Sequence, residues 1–253
     1  MRKLLVAVVA LQLVVGLIAA LTVSPPRAGA DVVGVGPIER TTTAEPAPVA
    51  SLPPGETDAA DAAGATVPLF KAADAPEPFK TLTNPTWEGV PLVLHVLEDR
   101  GPWLLTRINT RPNGSTAWVR RADVKLRRMP NRILIELGER RLTVLHGNDV
   151  LAQHRVGIGT ARTPTPLGEF YVDATVNLPK ANGPYGAGQL SVSGFSEVYK
   201  TFGGGIGQIA IHGTNNPSSI GGTVSNGCIR MLNAAWIQVA SLASNGTPVS
   251  IQA

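Results

Sequence analysis

The sequence is poor in cysteine, because Cys228 is the only one among its 253 residues. A single thiol excludes a disulfide framework within the chain, and it excludes zinc modules that need several cysteines. The four histidines include no HExxH motif and no other closely spaced pair. The sequence therefore predicts no metal site.

Long blocks of like charge are also absent. Lys and Arg outnumber Asp and Glu by 22 to 18, which gives a net charge of +4 and a pI of about 9.5. This small and scattered excess predicts no nucleic-acid partner. It suits either contact with a polyanionic polymer or an ordinary solvated surface, and composition alone does not separate the two.

The amino terminus has the pattern of a targeting segment. Two basic residues follow Met1, an apolar run covers residues 4–23, and small residues stand at 28–30. The run exceeds the apolar part of about 7–15 residues that is typical of signal peptides, and it is about long enough to cross a bilayer. We predict that residues 1–30 are a signal peptide or a membrane anchor, and either places residues 31–253 outside the cytoplasm.

The next segment, residues 31–79, is rich in alanine, proline, threonine and acidic side chains, and it has few aromatic residues. Such a segment buries too little apolar surface to offset the conformational entropy that folding removes. We predict a disordered Ala/Pro-rich linker over residues 31–79, which holds the folded part away from the membrane.

Residues 80–128 have the pattern of a small β unit. Strand-like runs occur at 90–96, 103–108 and 116–120, with a Pro-Asn-Gly-Ser turn before the last of them. The pattern resembles a bacterial SH3-like module, whose strands often carry a Trp-Val pair near the end. Contact with a wall polymer and simple packing on the main domain are both compatible with it.

Residues 130–253 predict a mainly β domain with one helix. Strand-like runs occur at 133–137, 142–145, 150–156, 170–172, 209–211 and 249–251. The helix is expected from Asn233 to Ala243, with Asn233 as its N-cap and with Trp236 and Val239 on one face.

Cys228 follows His212 by sixteen positions, and glycine is adjacent to both residues. A lone thiol near a histidine indicates a cysteine nucleophile with a general base, and the alternative is an inert buried thiol. A neighbouring imidazole is expected to lower the thiol pKa from about 8.5 to roughly 3.5–7.5.

The residues near Cys228 and His212 in the sequence limit which groups can assist the reaction. No Asp or Glu occurs after residue 197, so the backbone carbonyl of Gly213 is the candidate that orients His212. The amides of Gly227 and Cys228 are candidate oxyanion donors, since glycine allows close backbone approach. Arg230 fits either a substrate carboxylate or a structural ion pair. His95, His146 and His154 are interpreted as structural.

With these residues the chain resembles the L,D-transpeptidases of the YkuD family over about residues 130–252. The family's mark is a His-Gly pair followed by a Ser-His-Gly-Cys-[Ile/Val]-Arg run, which here reads His212-Gly213 and then SNGCIR from Ser225. A TPTPLGEF stretch at 163–170 agrees with it. The chain departs at Asn226, where the family often has a second histidine. Asn226 is not a base, so His212 would transfer protons alone.

The resemblance implies a YkuD-like β-sandwich or barrel with one or two helices. It implies that Cys228 attacks a peptidoglycan tetrapeptide stem between its third residue and the terminal D-Ala. D-Ala leaves, and an amine of a neighbouring stem resolves the thioester as a 3→3 cross-link, or water resolves it as a carboxypeptidase would. Carbapenems would acylate the same sulfur, no cofactor is needed, and Ser225, Asn226 and Arg230 would contact substrate.

Two other functions remain open at this point. A sortase-like transpeptidase also has the order His, Cys, Arg, but its His-to-Cys distance is longer and its arginine lies on a later strand. A catalytically silent protein that binds the cell wall would use residues 80–128 instead of the thiol.

Overall fold

The computed structural model describes residues 57–253 of the 253-residue chain. Over this range the protein is mainly β, with one α-helix, as the sequence predicts. All described residues belong to one compact unit. The predicted targeting segment, residues 1–30, and the predicted linker up to residue 56 lie outside the described residues.

The first half of this range forms two small sheets. Its strands are β1 (Thr57–Ala62), β2 (Thr66–Leu69), β3 (Lys80–Thr83), β4 (Val93–Arg100), β5 (Trp103–Arg107), β6 (Thr116–Arg120) and β7 (Val124–Met129). Five of them form a sheet in the order β6-β5-β4-β1-β7, and β2 pairs with β3. Leu94, Leu104 and Val119 are fully buried in the core of this N-terminal module.

The predicted linker is corrected over residues 57–79, because β1 and β2 lie within it. Strand β1 is the middle of three adjacent strands, paired with β4 on one side and β7 on the other. Its Ala59 and Ala60 are completely buried. An Ala- and Asp-rich strand carries no local β signal, and its conformation is set by its neighbours in the sheet. The N-terminal module therefore includes residues 57–79 as well as residues 80–128.

The second half of the chain forms the main sheet. Its strands are β8 (Asn131–Glu136), β9 (Arg141–His146), β10 (Asp149–Arg155), β11 (Ile158–Gly159), β12 (Gly168–Asn177), β13 (Gly188–Phe195), β14 (Gln208–His212), β15 (Thr223–Ser225), β16 (Ile229–Arg230) and β17 (Pro248–Gln252). Eight of them form one sheet, in the order β10-β9-β8-β17-β12-β13-β14-β16. Strands β11 and β15 pair separately.

The alternation of side chains along β14 determines which residues face the core. Ile209 and Ile211 are buried in the hydrophobic core of the main sheet. Because neighbouring residues of a strand point to opposite faces, Gln208, Ala210 and His212 share the other face. A core-forming strand thereby presents the predicted general base on its opposite side.

Helix α1 (Asn233–Leu242) follows β16 almost directly and covers the core with Trp236 and Val239, as predicted. The indole of Trp236 also donates a hydrogen bond to the Ile211 carbonyl, at 3.1 Å. The N-cap prediction is wrong, because Leu232 occupies that position without a side-chain cap. Asn233 is unavailable for capping, since its Oδ1 accepts hydrogen bonds from two other loops.

The N-terminal module is joined to the main sheet by apolar and polar contacts. Ala59, Val93 and Met129 form a buried cluster with Tyr171 of β12. The side chain of Asn113 exchanges two hydrogen bonds with the backbone of Phe195, each at 2.8 Å. These contacts fix the module against β12 and the end of β13.

Arg111 makes a second polar connection from the module to the main sheet. Its guanidinium donates to the carbonyls of Ser196 at 2.9 Å, Tyr199 at 2.9 Å and Ile206 at 3.2 Å. These acceptors lie at both ends of the loop between β13 and β14. One side chain of the module therefore holds that loop at two places.

No helix within residues 57–253 is long and apolar enough to cross a membrane. The same residues contain no group of three or more His, Cys, Asp or Glu side chains that could hold a metal ion.

Candidate active site

Cys228 lies immediately before β16, at the edge of the main sheet. Strands β14 and β16 are parallel, with Ile211 paired to Ile229 and His212 paired to Arg230. This register places Cys228 next to Ala210, whose backbone hydrogen-bonds the thiol. The residue is half-buried and lines a cleft of about 310 Å³. A thiol at this position is accessible from the cleft, which is required of a nucleophile and is not expected of an inert core cysteine.

The imidazole of His212 is held by its own chain. His212 is 4% exposed, and its Nδ1 lies 2.5 Å from the carbonyl oxygen of Gly213. A carbonyl only accepts hydrogen bonds, so Nδ1 carries the proton and Nε2 keeps its lone pair. The imidazole is therefore in the tautomer that a general base needs.

The thiol and the imidazole both favour their neutral forms. Burial, opposed by the Gly213 hydrogen bond and aided by Arg230, lowers the pKa of His212 to about 4. Burial raises the pKa of the Cys228 thiol, although the Ala210 backbone and Arg230 oppose it. The predicted low thiol pKa is therefore corrected, because burial outweighs the nearby positive charge and raises the pKa of Cys228.

Tyr185 completes the surroundings of the pair, and sequence reasoning missed it. Its ring centroid lies 4.8 Å from that of His212, at an interplanar angle of 50°. Burial first, and then the charge of Cys228, raise its pKa, while Arg230 lowers it. The phenol is thus near both reacting groups. The only sequence signal is an aromatic residue between Pro184 and Gly186 in a loop.

The loop before Cys228 is organised by Ser225. Its hydroxyl donates to the Cys228 carbonyl at 2.5 Å and accepts from the Gly227 amide at 3.1 Å. The Gly227 amide is thus engaged inside the loop, and its oxyanion role stays a prediction. Ser225 is 2% exposed and shapes the loop, and its contact with substrate stays a prediction.

The remaining predicted residues differ in exposure. Asn226 is exposed, and Gly227 adopts a positive φ of 116°, which favours glycine. Arg230 is half-buried, and its Nε has no hydrogen-bond partner among the described residues. An unpaired buried guanidinium nitrogen near the thiol is suited to an anionic group of a substrate.

Asn233 supports the loop that carries His212. Its Oδ1 accepts hydrogen bonds from the amides of Ala187 at 3.0 Å and Thr214 at 3.1 Å. The two loops approach so closely that a Cβ at Gly186 would lie 2.4 Å from the Thr214 nitrogen. One carboxamide therefore ties the Tyr185 loop to the His212–Gly213 segment.

Replacing Asn233 by alanine is expected to destabilise the fold by roughly 1–3 kcal/mol, because two backbone amides lose their acceptor. Chemical denaturation would measure the change in the free energy of unfolding. Asn148→Ala, in the exposed turn between β9 and β10, is the matched control and is expected to stay within about 0.5 kcal/mol. Equal stabilities of the two variants would contradict this role of Asn233.

The other histidines are placed away from the cleft that Cys228 lines. His95 is 1% exposed and stacks near Tyr171 at the contact between the module and the main sheet. His146 and His154 lie on β9 and β10, at the far edge of the sheet, where they contact Asn131 and Gln238. A larger cavity of about 680 Å³ lies near Arg127 and the end of α1, and none of the predicted site residues lines it.

Comparison with known proteins identifies the second half of the chain. Residues 130–251 match the YkuD family model, which is described as an L,D-transpeptidase catalytic domain. The chain is 42% identical over 123 residues to a Bacillus subtilis protein named as an L,D-transpeptidase, YkuD, covering 49% of this chain and 66% of that protein. It is 32% identical over 129 residues to a second B. subtilis protein so named, YqjB, covering 47% of this chain and 69% of that protein.

The matched part therefore spans about two thirds of the length of these relatives. Among solved structures, an L,D-transpeptidase from Mycobacterium smegmatis aligns with 62% of this chain and 80% of its own, at 19% identity and a TM-score of 0.38.

Proposed function

The chain belongs to the YkuD family of L,D-transpeptidases, and we propose that it cross-links peptidoglycan stems through Cys228 with His212 as general base. The observation that supports this most is the tautomer and position of the His212 imidazole. Its Nδ1 is bonded to the Gly213 carbonyl, and it lies on the strand beside the half-buried thiol. This arrangement supplies a nucleophile and a proton acceptor without a carboxylate.

The first half of the reaction forms a thioester. The Cys228 sulfur attacks the carbonyl between the third residue of a tetrapeptide stem and its terminal D-Ala, while the thiol proton moves to Nε2 of His212. The carbonyl oxygen becomes an oxyanion, for which the Cys228 amide is the proposed donor. The C–N bond then breaks, His212 returns its proton to the leaving amine, and D-Ala departs.

The second half regenerates the thiol. An amine of a neighbouring stem attacks the thioester, and His212 accepts its proton. The C–S bond then breaks to leave a new amide, and His212 passes the proton to the departing sulfur, which restores the neutral thiol and imidazole. Water in place of the amine gives a shortened stem, which is carboxypeptidase activity. Neither half needs a cofactor.

Arg230 is proposed to hold the carboxylate of the terminal D-Ala. The residue is electrostatically coupled to Cys228, His212 and Tyr185, so its charge lies close to the reacting atoms. An arginine binds a carboxylate through parallel hydrogen bonds, which would fix the scissile bond over the sulfur.

We propose that the reaction takes place outside the cytoplasm, where peptidoglycan lies.

The proposal is tested with purified disaccharide-tetrapeptide. We expect release of D-Ala and formation of 3→3 dimers, both followed by mass spectrometry. A carbapenem should add once, at Cys228, in the intact mass. A protein that binds isolated cell walls but yields neither product nor adduct would instead be a silent wall-binding protein. Cleavage of sorting-signal peptides with muropeptides left intact would indicate the sortase-like alternative.

A further inference from the structure

The N-terminal module contributes two side chains to the cleft of the main sheet. They are Trp87 and Glu88, in the turn that joins β3 to β4, and both line the same cleft as Cys228. The turn is closed by hydrogen bonds from the Thr86 amide to the Val90 carbonyl, at 2.8 Å, and from the Gly89 amide to the Thr86 carbonyl, at 2.9 Å. Backbone bonding within the turn therefore fixes where Glu88 reaches the cleft.

Glu88 is held at a defined place in the cleft. Its Oε1 accepts a hydrogen bond from the hydroxyl of Ser191, at 2.9 Å, and that hydroxyl also accepts one from Gln189, at 3.1 Å. Ser191 pairs with Ala210 across β13 and β14, and Ala210 in turn bonds Cys228. Adjacent strands are about 4.8 Å apart, so the backbone at Ser191 lies about 10 Å from that at Cys228.

Two side chains of opposite charge lie on different elements near the thiol. Arg230 stands on β16, two residues after Cys228 and paired with His212, whereas Glu88 lies in the cleft beside Ser191 of β13 and is electrostatically coupled to the buried carboxyl of Asp173. No ion pair within residues 57–253 includes Glu88. Burial raises the pKa of this carboxyl, and the Ser191 hydrogen bond opposes the rise.

We propose that Glu88 is a specificity-determining residue, which binds a primary ammonium group on the side chain of the peptide that Cys228 attacks. This inference rests on the proposed function, and its new element is the residue: Glu88, from the N-terminal module, would read the free side-chain amine of a diamino acid at the third position of the donor stem. A carboxylate bonded through one oxygen retains acceptor positions on the other for a charge-assisted hydrogen bond. Trp87 adds an aromatic surface that favours a cation.

The distance favours the donor peptide over the acceptor. An attacking amine must approach the thioester carbon to about 3–3.5 Å, whereas Ser191, which holds Glu88, stands on a strand roughly two strand spacings from the Cys228 backbone. The side chains of Glu88 and Cys228 cover part of that separation. The side chain of a diamino acid whose own carbonyl is attacked covers the remainder.

The test compares Glu88→Gln with the native enzyme on two tetrapeptide donors, one with a free side-chain amine and one with that amine acetylated. Hydrolytic release of D-Ala is measured without any acceptor, so that only the donor site is tested. We expect Glu88→Gln to raise KM for the free-amine donor about tenfold, with kcat little changed, and to leave the acetylated donor unaffected. The native enzyme should itself prefer the free-amine donor.

Glu77→Gln, which removes an exposed carboxylate from the same module, is the matched control and should behave as the native enzyme. An equal loss on both donors, no loss on either, or a loss seen only when an acceptor amine is added would each overturn the role of Glu88. A native enzyme inert toward both donors would overturn the proposed function and this inference with it. An active enzyme with an indifferent Glu88→Gln variant would overturn the inference alone.

Discussion

Replacing Cys228 by alanine should lower D-Ala release from tetrapeptides by about 10⁴-fold or more and abolish the carbapenem adduct. The reason is that the proposed reaction proceeds through a thioester, and the described residues include no second thiol. Intact-mass spectrometry and a discontinuous D-Ala assay would measure the two effects. The result would assign the chemistry to this sulfur.

A control must show that the Cys228→Ala protein is still folded, which its free energy of unfolding would measure. Cys228 is half-buried and its neighbours are held by Ser225, so removing the sulfur should cost only about 1 kcal/mol of stability. Cys228→Ser is the matched variant, since it keeps a hydroxyl of similar size but is a poorer nucleophile. A folded Cys228→Ala protein that still released D-Ala would show that the nucleophile has been wrongly assigned.

Replacing His212 by glutamine should reduce D-Ala release by about 10²–10⁴-fold, because glutamine cannot accept the thiol proton. The variant should also differ from the native protein in how its rate depends on pH. In the native enzyme, activity falls with decreasing pH only near the His212 pKa of about 4, below which the imidazole is protonated and no longer a base. In the variant, the rate should rise continuously toward alkaline pH as the fraction of thiolate grows. A pH–rate profile of kcat/KM would measure both.

His146→Gln, on the far edge of the sheet, is the matched control and should leave that profile unchanged. An acid limb that persists in His212→Gln at the native position would contradict the assignment, because another group would then control the protonation.

The parts of this site that the sequence predicted are those encoded locally. A strand that ends at His212, a lone cysteine after a glycine and a helix with a buried Trp236 each leave a short pattern. The hydrogen bond to the Gly213 carbonyl also follows from an adjacent residue, since no carboxylate occurs nearby in the chain. Local patterns were therefore sufficient to predict that Cys228 and His212 belong to one region, and the pairing of β14 with β16 brings them together.

Other features depend on contacts between residues distant in sequence, and no local pattern indicates them. Glu88 reaches the cleft only because the N-terminal module is docked on β12 and β13. The sequence predicts Asn233 as a helix N-cap, but its Oδ1 instead accepts hydrogen bonds from the backbone amides of Ala187 and Thr214. The raised pKa of the thiol depends on burial, which sequence alone does not give.

Arg111 has a consequence for how this enzyme is produced for inhibitor screening. Its guanidinium binds carbonyls at both ends of the loop between β13 and β14, and that loop forms one wall of the cleft. A shortened recombinant version cut at residue 130 would lack this clamp as well as Glu88. Such a fragment would lose three hydrogen bonds to this wall and the carboxylate opposite it, so compounds should be ranked on a version that keeps residues 57–129.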